Sequence, residues 1–132
     1  NVNTAFVTHG MPAPKHIAYP YGECNDNVIS VISSYRDTGR VVTWQNNGYY
    51  PTELLEKPYE LPCYPTDYHG TIAEIDKAIA GNYTLILNFH AVSDIPGDYN
   101  MSISEFESIL DYIQSNDIRN QTISEYYEET LE

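Results

Sequence analysis

Apolar and polar positions alternate most regularly from Thr84 to Val92, in the run TLILNFHAV, which predicts a β-strand. A period of two puts Leu85, Leu87 and Phe89 on one face and Ile86, Asn88 and His90 on the other. The stretches beside it follow a helical period. Thr71-Ile-Ala-Glu74 has the form of a capping box and predicts a helix that Gly81 ends. Ser102-Ile-Ser-Glu105 is a second box, followed by Phe106, Ile109, Leu110 and Ile113 at helical spacing. Thr122-Ile-Ser-Glu125 is a third and opens an acidic terminal helix after a short segment around Ile118.

The first half is less regular. NTAFVTHG reads as a helix end, with His9 beside Gly10, and Ile17-Ala18-Tyr19 as a short strand. Asn25 or Asp26 is placed to cap a helix through Val28, Ile29, Ile32 and Tyr35, with Gly39 as its end. Val41-Val42-Thr43-Trp44 reads as a buried strand, 45–58 as a tyrosine-rich loop, and Glu60 to Tyr64 as another short strand. Strands alternating with helices predict a mainly parallel α/β arrangement. In such folds function gathers where strands end, and both Tyr21 and His90 lie at such ends.

Composition narrows the field. A chain of 132 residues, 42% of them hydrophobic, suits a single domain with one core, here taken as residues 1–132. Its 19 acidic residues against 6 basic ones give a formal charge of −13, which argues against nucleic acid or an anionic membrane as partner. No apolar stretch approaches the length of a membrane span. Cys24 and Cys63 permit one disulfide or two free thiols. The sequons at Asn82, Asn100 and Asn120 are too few to argue for export, given how many Asn, Ser and Thr the chain has.

His90 is the leading candidate for chemistry, because an imidazole titrates near neutrality and suits general acid or base work. The alternative is a histidine held by hydrogen bonds at a strand end. His9, His16 and His69 sit at element ends, and no two histidines have the i, i+4 spacing of a helical metal site. No Cys-x-x-Cys, glycine-rich phosphate loop or G-x-S-x-G elbow is present. Tyr49, Tyr50, Tyr64 and Tyr68 gather in predicted loops, where tyrosines serve either packing or sugar faces.

Three stretches, FVTHGMPAPKHIAYPYGECNDNVISVI, GRVVTW and TLILNFHAV, resemble in order and spacing the second half of the polysaccharide deacetylase family. The ending ISEFESILDYIQSNDIRNQTISEYYEE resembles that family's final helix, strand and helix. The resemblance implies an α/β fold of the partial (β/α) barrel type with its first strands missing. It also implies metal-dependent hydrolysis of N- or O-acetyl groups on a polysaccharide or oligosaccharide. Tyr21 then matches the residue whose backbone N–H holds the oxyanion, and His90 the acid that protonates the leaving group. Substrate-binding positions are implied at Tyr19, Pro20, Trp44 and Asn88. Asn88 stands where the family commonly has leucine, and Ala18 where it often has arginine.

The family's aspartate pair and its H-x-x-x-H metal ligands are absent from this sequence. The resemblance therefore implies no cofactor in this chain and a divalent metal, usually zinc, in a full-length parent. On this reading the chain is the C-terminal half of an active deacetylase and does not hydrolyse alone. Open barrel edges would lead to self-association or to contact with the missing N-terminal half. The sequence itself gives no compartment, and the family resemblance favours a secreted or cell-surface setting. The alternative, from a different class, is a non-catalytic glycan-binding or assembly domain derived from the same fold.

Overall fold

The computed structural model describes residues 1–42, 49–51, 57–66, 70–95, 97 and 99–131. Helix α1 (Val2–Thr8) is capped by the Asn1 side chain, whose Oδ1 accepts from the Thr4 N–H at 2.9 Å, and it ends at His9 as the sequence predicts. Strand β1 (His16–Ala18) leads through the turn Pro20–Gly22 into helix α2 (Asp26–Ile32) and then strand β2 (Thr38–Arg40). β1 and β2 pair in parallel, with Ile17 opposite Gly39 and Ala18 opposite Arg40. β3 (Tyr49–Pro51) and β4 (Tyr64–Pro65) follow, then helix α3 (Thr71–Gly81) and the strands β5 (Tyr83–Leu85) and β6 (Leu87–Asn88). β7 (Ala91–Val92), β8 (Asn100–Met101), α4 (Ile103–Ser115) and α5 (Ile123–Glu129) complete the chain.

The parallel pairings run in chain order. A bridge joins Arg40 of β2 to Leu61 in parallel, with Leu61 N–H donating to the Gly39 carbonyl and Val41 N–H to the Leu61 carbonyl, each at 2.9 Å. The segment from Leu61 then enters β4, which pairs in parallel with β6. The protein is thus mixed α/β with short parallel pairs, and its described strands close no barrel. No helix among the described residues is long and apolar enough to cross a membrane.

Ile75 of α3, Met101 of β8 and Ile109 of α4 form the buried core, against which Leu85, Leu87, Phe89, Phe106 and Ile118 pack. The expected alternation therefore holds, with the odd-numbered residues facing inward. α3 buries Thr71, Glu74, Ile75 and Ala78, a stripe at helical spacing. α4 and α5 both carry complete capping boxes, at Ser102 with Glu105 and at Thr122 with Glu125, as the sequence predicts.

Four expectations are corrected. The run 84–92 is three strands rather than one, because the chain changes partner twice. β5 lies antiparallel to β3, β6 parallel to β4, and β7 parallel to β8. Gly39 does not end α2, which stops at Ile32. It lies in β2, where a Cβ would sit 2.5 Å from the Tyr19 hydroxyl, so the tyrosine's end rests on the bare backbone. The strand predicted at 41–44 lies earlier, at Thr38–Arg40; 41–42 follow it outside any strand, and 43–44 lie outside the described residues. The first capping box is not formed. Gly70 takes the cap position without a side-chain bond, and Asn82, at φ 51°, rather than Gly81 makes the left-handed end of α3.

His16 fastens the first parallel strand to the last helix. Its Nδ1 bonds to Thr38 Oγ1 and its Nε2 to Ser124 Oγ, both at 2.9 Å, and its ring meets Tyr127 edge-on. Burial is the main cause of a lowered pKa. The Asp37 and Glu128 charges oppose it, and Lys15 adds to it. A lowered folded pKa means that the unfolded chain takes up the proton first, so stability falls as pH drops below about 6.5. The midpoint of thermal unfolding is expected to decline from pH 7 to pH 5, and His16→Gln is expected to flatten that part of the profile. An unchanged slope in the variant would assign the acid sensitivity to other groups.

Candidate functional site at the ends of the parallel strands

β1 delivers the chain to a corner that is rigid for local reasons. Tyr19 N–H donates to the Arg40 carbonyl at 3.1 Å, which carries the parallel ladder one residue past β1. Pro20 removes a donor and fixes its own φ. Gly22 N–H then bonds to the Tyr19 carbonyl at 2.8 Å and Glu23 N–H to the Pro20 carbonyl at 3.4 Å. Tyr21, between them, takes a left-handed conformation at φ 58° and ψ 5°. That conformation costs a residue with a side chain about 1–2 kcal/mol. Its N–H lies outside the turn's own hydrogen bonds, and its side chain is 98% exposed. Gly22, at φ 73°, is pressed onto the extension of β2, and its carbonyl accepts from Val42 N–H at 3.1 Å. α2 begins directly afterwards, with Asn25 Oδ1 accepting from Val28 N–H at 3.0 Å.

His90 follows β6. The carbonyl of Asn88, two residues earlier, accepts from both the N–H and the hydroxyl of Thr66, at 3.0 and 2.9 Å, which fixes the end of that strand. His90 itself is exposed, with its ring centroid 5.4 Å from that of Tyr99 at a tilt of 39°. β1, β2, the Leu61–Pro65 segment and β6 run in one direction, so the turn and His90 occupy the same end of the parallel set. Tyr21 is too exposed to touch His90.

The other candidates separate by burial. Tyr19 is only 4% exposed, packed over Gly39, and its hydroxyl has no hydrogen-bond partner among the described residues. Burial, followed by Cys24, Glu60 and Tyr59, pushes that phenol's pKa up and keeps it protonated. Its visible role is packing. Pro20 is exposed, Asn88 is half-buried, and Trp44 lies outside the described residues, as do Tyr68 and His69. Both cysteines are free. Burial, then Glu60 and Asp26, raise the Cys24 thiol, which makes it a poor nucleophile. Cys63 is fully buried and accepts from Arg40 Nη1 at 2.9 Å.

Two neighbours of these candidates carry no signal in the sequence. Arg40 stands beside Ala18 across the parallel ladder, where the resemblance implies a cation, and Tyr99 stands beside His90. Their signal is strand register, which no spacing in the sequence carries. Among the described residues no three His, Cys, Asp or Glu side chains gather where a metal ion could sit. These residues by themselves do not make up the metal centre that the resemblance implies for a full-length parent. Compared with family models, curated proteins and solved structures, the chain matches none.

The turn's geometry depends on Gly22 lacking a Cβ, because one would fall 2.5 Å from Val42 Cβ and 2.6 Å from Val42 N. Gly22→Ala is expected to cost about 3 kcal/mol, as backbone strain plus overpacking, measured by urea unfolding. A loss below about 1 kcal/mol would mean that the corner shifts freely and that Tyr21 is not held.

Proposed function

We propose that these residues form the oxyanion and leaving-group side of a site that hydrolyses acetyl groups on a glycan. The observation that carries this reading is the shared edge, where a strained, stapled turn presents Tyr21 and the end of β6 presents His90. In the reaction, water adds to the acetyl carbonyl and its oxygen becomes an oxyanion. The Tyr21 N–H donates to that oxygen, which stabilises charge only as it develops. The tetrahedral intermediate collapses with cleavage of the C–N or C–O bond. The His90 imidazolium gives its proton to the departing amine or alcohol, so that acetate and the free sugar group are released. The base and the activation of water are assigned to parts of the protein beyond the described residues. The net charge of −13 favours a neutral or amino-bearing glycan over a polyanionic one.

A second reading, non-catalytic glycan binding, has its own support in Tyr21 and Tyr99, which are 98% and 79% exposed. Large rings left in water suit the apolar face of a sugar.

The test is acetate release from acetylated glycan oligomers by the native protein in its longest form. His90→Ala is expected to lower kcat by roughly 10²- to 10⁴-fold with KM little changed. Equal rates in the variant would remove His90 from the reaction. Binding of the oligomer without acetate release would select the second reading.

A further inference from the structure

We infer that Tyr99 is the substrate-positioning residue of this edge, a fixed ring on which the apolar C–H face of a pyranose lies beside His90. The inference rests on the glycan reading above and adds the residue that would orient the sugar.

Strand register makes the juxtaposition. β7 and β8 pair in parallel, with Ala91 opposite Asn100 and Val92 opposite Met101. His90 and Tyr99 are the residues immediately before these partners, so the same ladder brings their rings side by side. Both ends of the ladder are anchored. Ser93 N–H donates to the Met101 carbonyl at 2.9 Å, and Met101 is buried against Ile75 and Ile109. Asn100 N–H bonds to the Gly97 carbonyl, and its side chain donates to the Ile95 carbonyl at 2.9 Å.

Packing does not account for the ring at this place. Tyr99 is 79% exposed and stands at φ 68°, a conformation that tyrosine resists. The tilt of 39° against His90 leaves most of the ring in water. A tyrosine face is apolar with a polar rim, and a pyranose offers a C–H face bordered by hydroxyls, so the two surfaces are complementary. A sugar seated there would lie next to the group proposed to protonate its leaving atom, which makes the ring a determinant of orientation rather than of chemistry.

The test follows His90 imidazole signals by NMR while the labelled protein is titrated with tetra-N-acetylchitotetraose. In the wild type and in Tyr99→Phe these signals are expected to move with similar affinity, because the ring and not the hydroxyl makes the contact. In Tyr99→Gly, binding is expected to weaken roughly three- to tenfold and the His90 response to shrink. Glycine accepts φ 68° freely, so an unchanged melting midpoint will show that the fold is intact. If wild type and Tyr99→Gly bind equally and His90 responds in both, the inference fails while the glycan reading stands. If the wild type does not bind, the glycan reading fails and takes the inference with it.

Discussion

The packing of Leu85, Leu87 and Phe89 against the Ile75, Met101 and Ile109 cluster is the constraint on which the rest depends. Side chains in an extended chain alternate, so burying the odd positions turns Asn88 and His90 the other way. A slip of one residue would carry His90 into the core and expose Phe89, at a cost of several kcal/mol of lost burial. Phe89 resists such a slip most strongly, because its ring meets Phe106 edge to face at 5.1 Å. The direction of the candidate acid is thus set by apolar neighbours that never meet a ligand.

The same stretch shows how alternation survives changes of partner. The chain pairs with β3, then β4, then β8 within ten residues, yet Leu85, Leu87 and Phe89, between the exposed Tyr83 and Ala91, all stay packed on the core. Each pairing lasts only two or three residues and contributes little by itself. The cluster beneath supplies the continuity, and the ladders supply position along the edge. On the other side of the set, the corner at Tyr21 is held by the reverse arrangement. There a bare glycine on the Val42 backbone and two turn hydrogen bonds fix a residue that itself buries nothing.

What could be read in the sequence was local. The Ser102 and Thr122 boxes are visible because cap and partner lie three residues apart, and the Asn25 cap is visible for the same reason. The Thr71 box has the right letters and fails, because Gly70 starts the helix one residue earlier and the Glu74 carboxylate takes Lys77 as a partner, at 2.5 Å. Gly39 has the letters of a helix end and serves instead as the floor beneath Tyr19, a contact across 20 residues of chain. Tyr99 was hidden for a related reason. Two-residue strands carry almost no pattern, so the ladder that sets it beside His90 exists only in three dimensions.

Of the described histidines, burial and partners separate the two that lie on strands or at their ends. His16 has a hydroxyl on each ring nitrogen, an aromatic edge against it and a burial that disfavours the charged form. A proton placed there is opposed by the same packing that joins β1 to α5, so His16 works as a neutral fastener. His90 stands on an exposed strand end with the Tyr99 ring beside it. Proton transfer to a leaving group needs an acid within hydrogen-bond reach of it, which only a side chain open to the ligand can supply. On the reading proposed above, His90 and not His16 is the histidine placed to meet a ligand, because His16 spends both ring nitrogens on the fold.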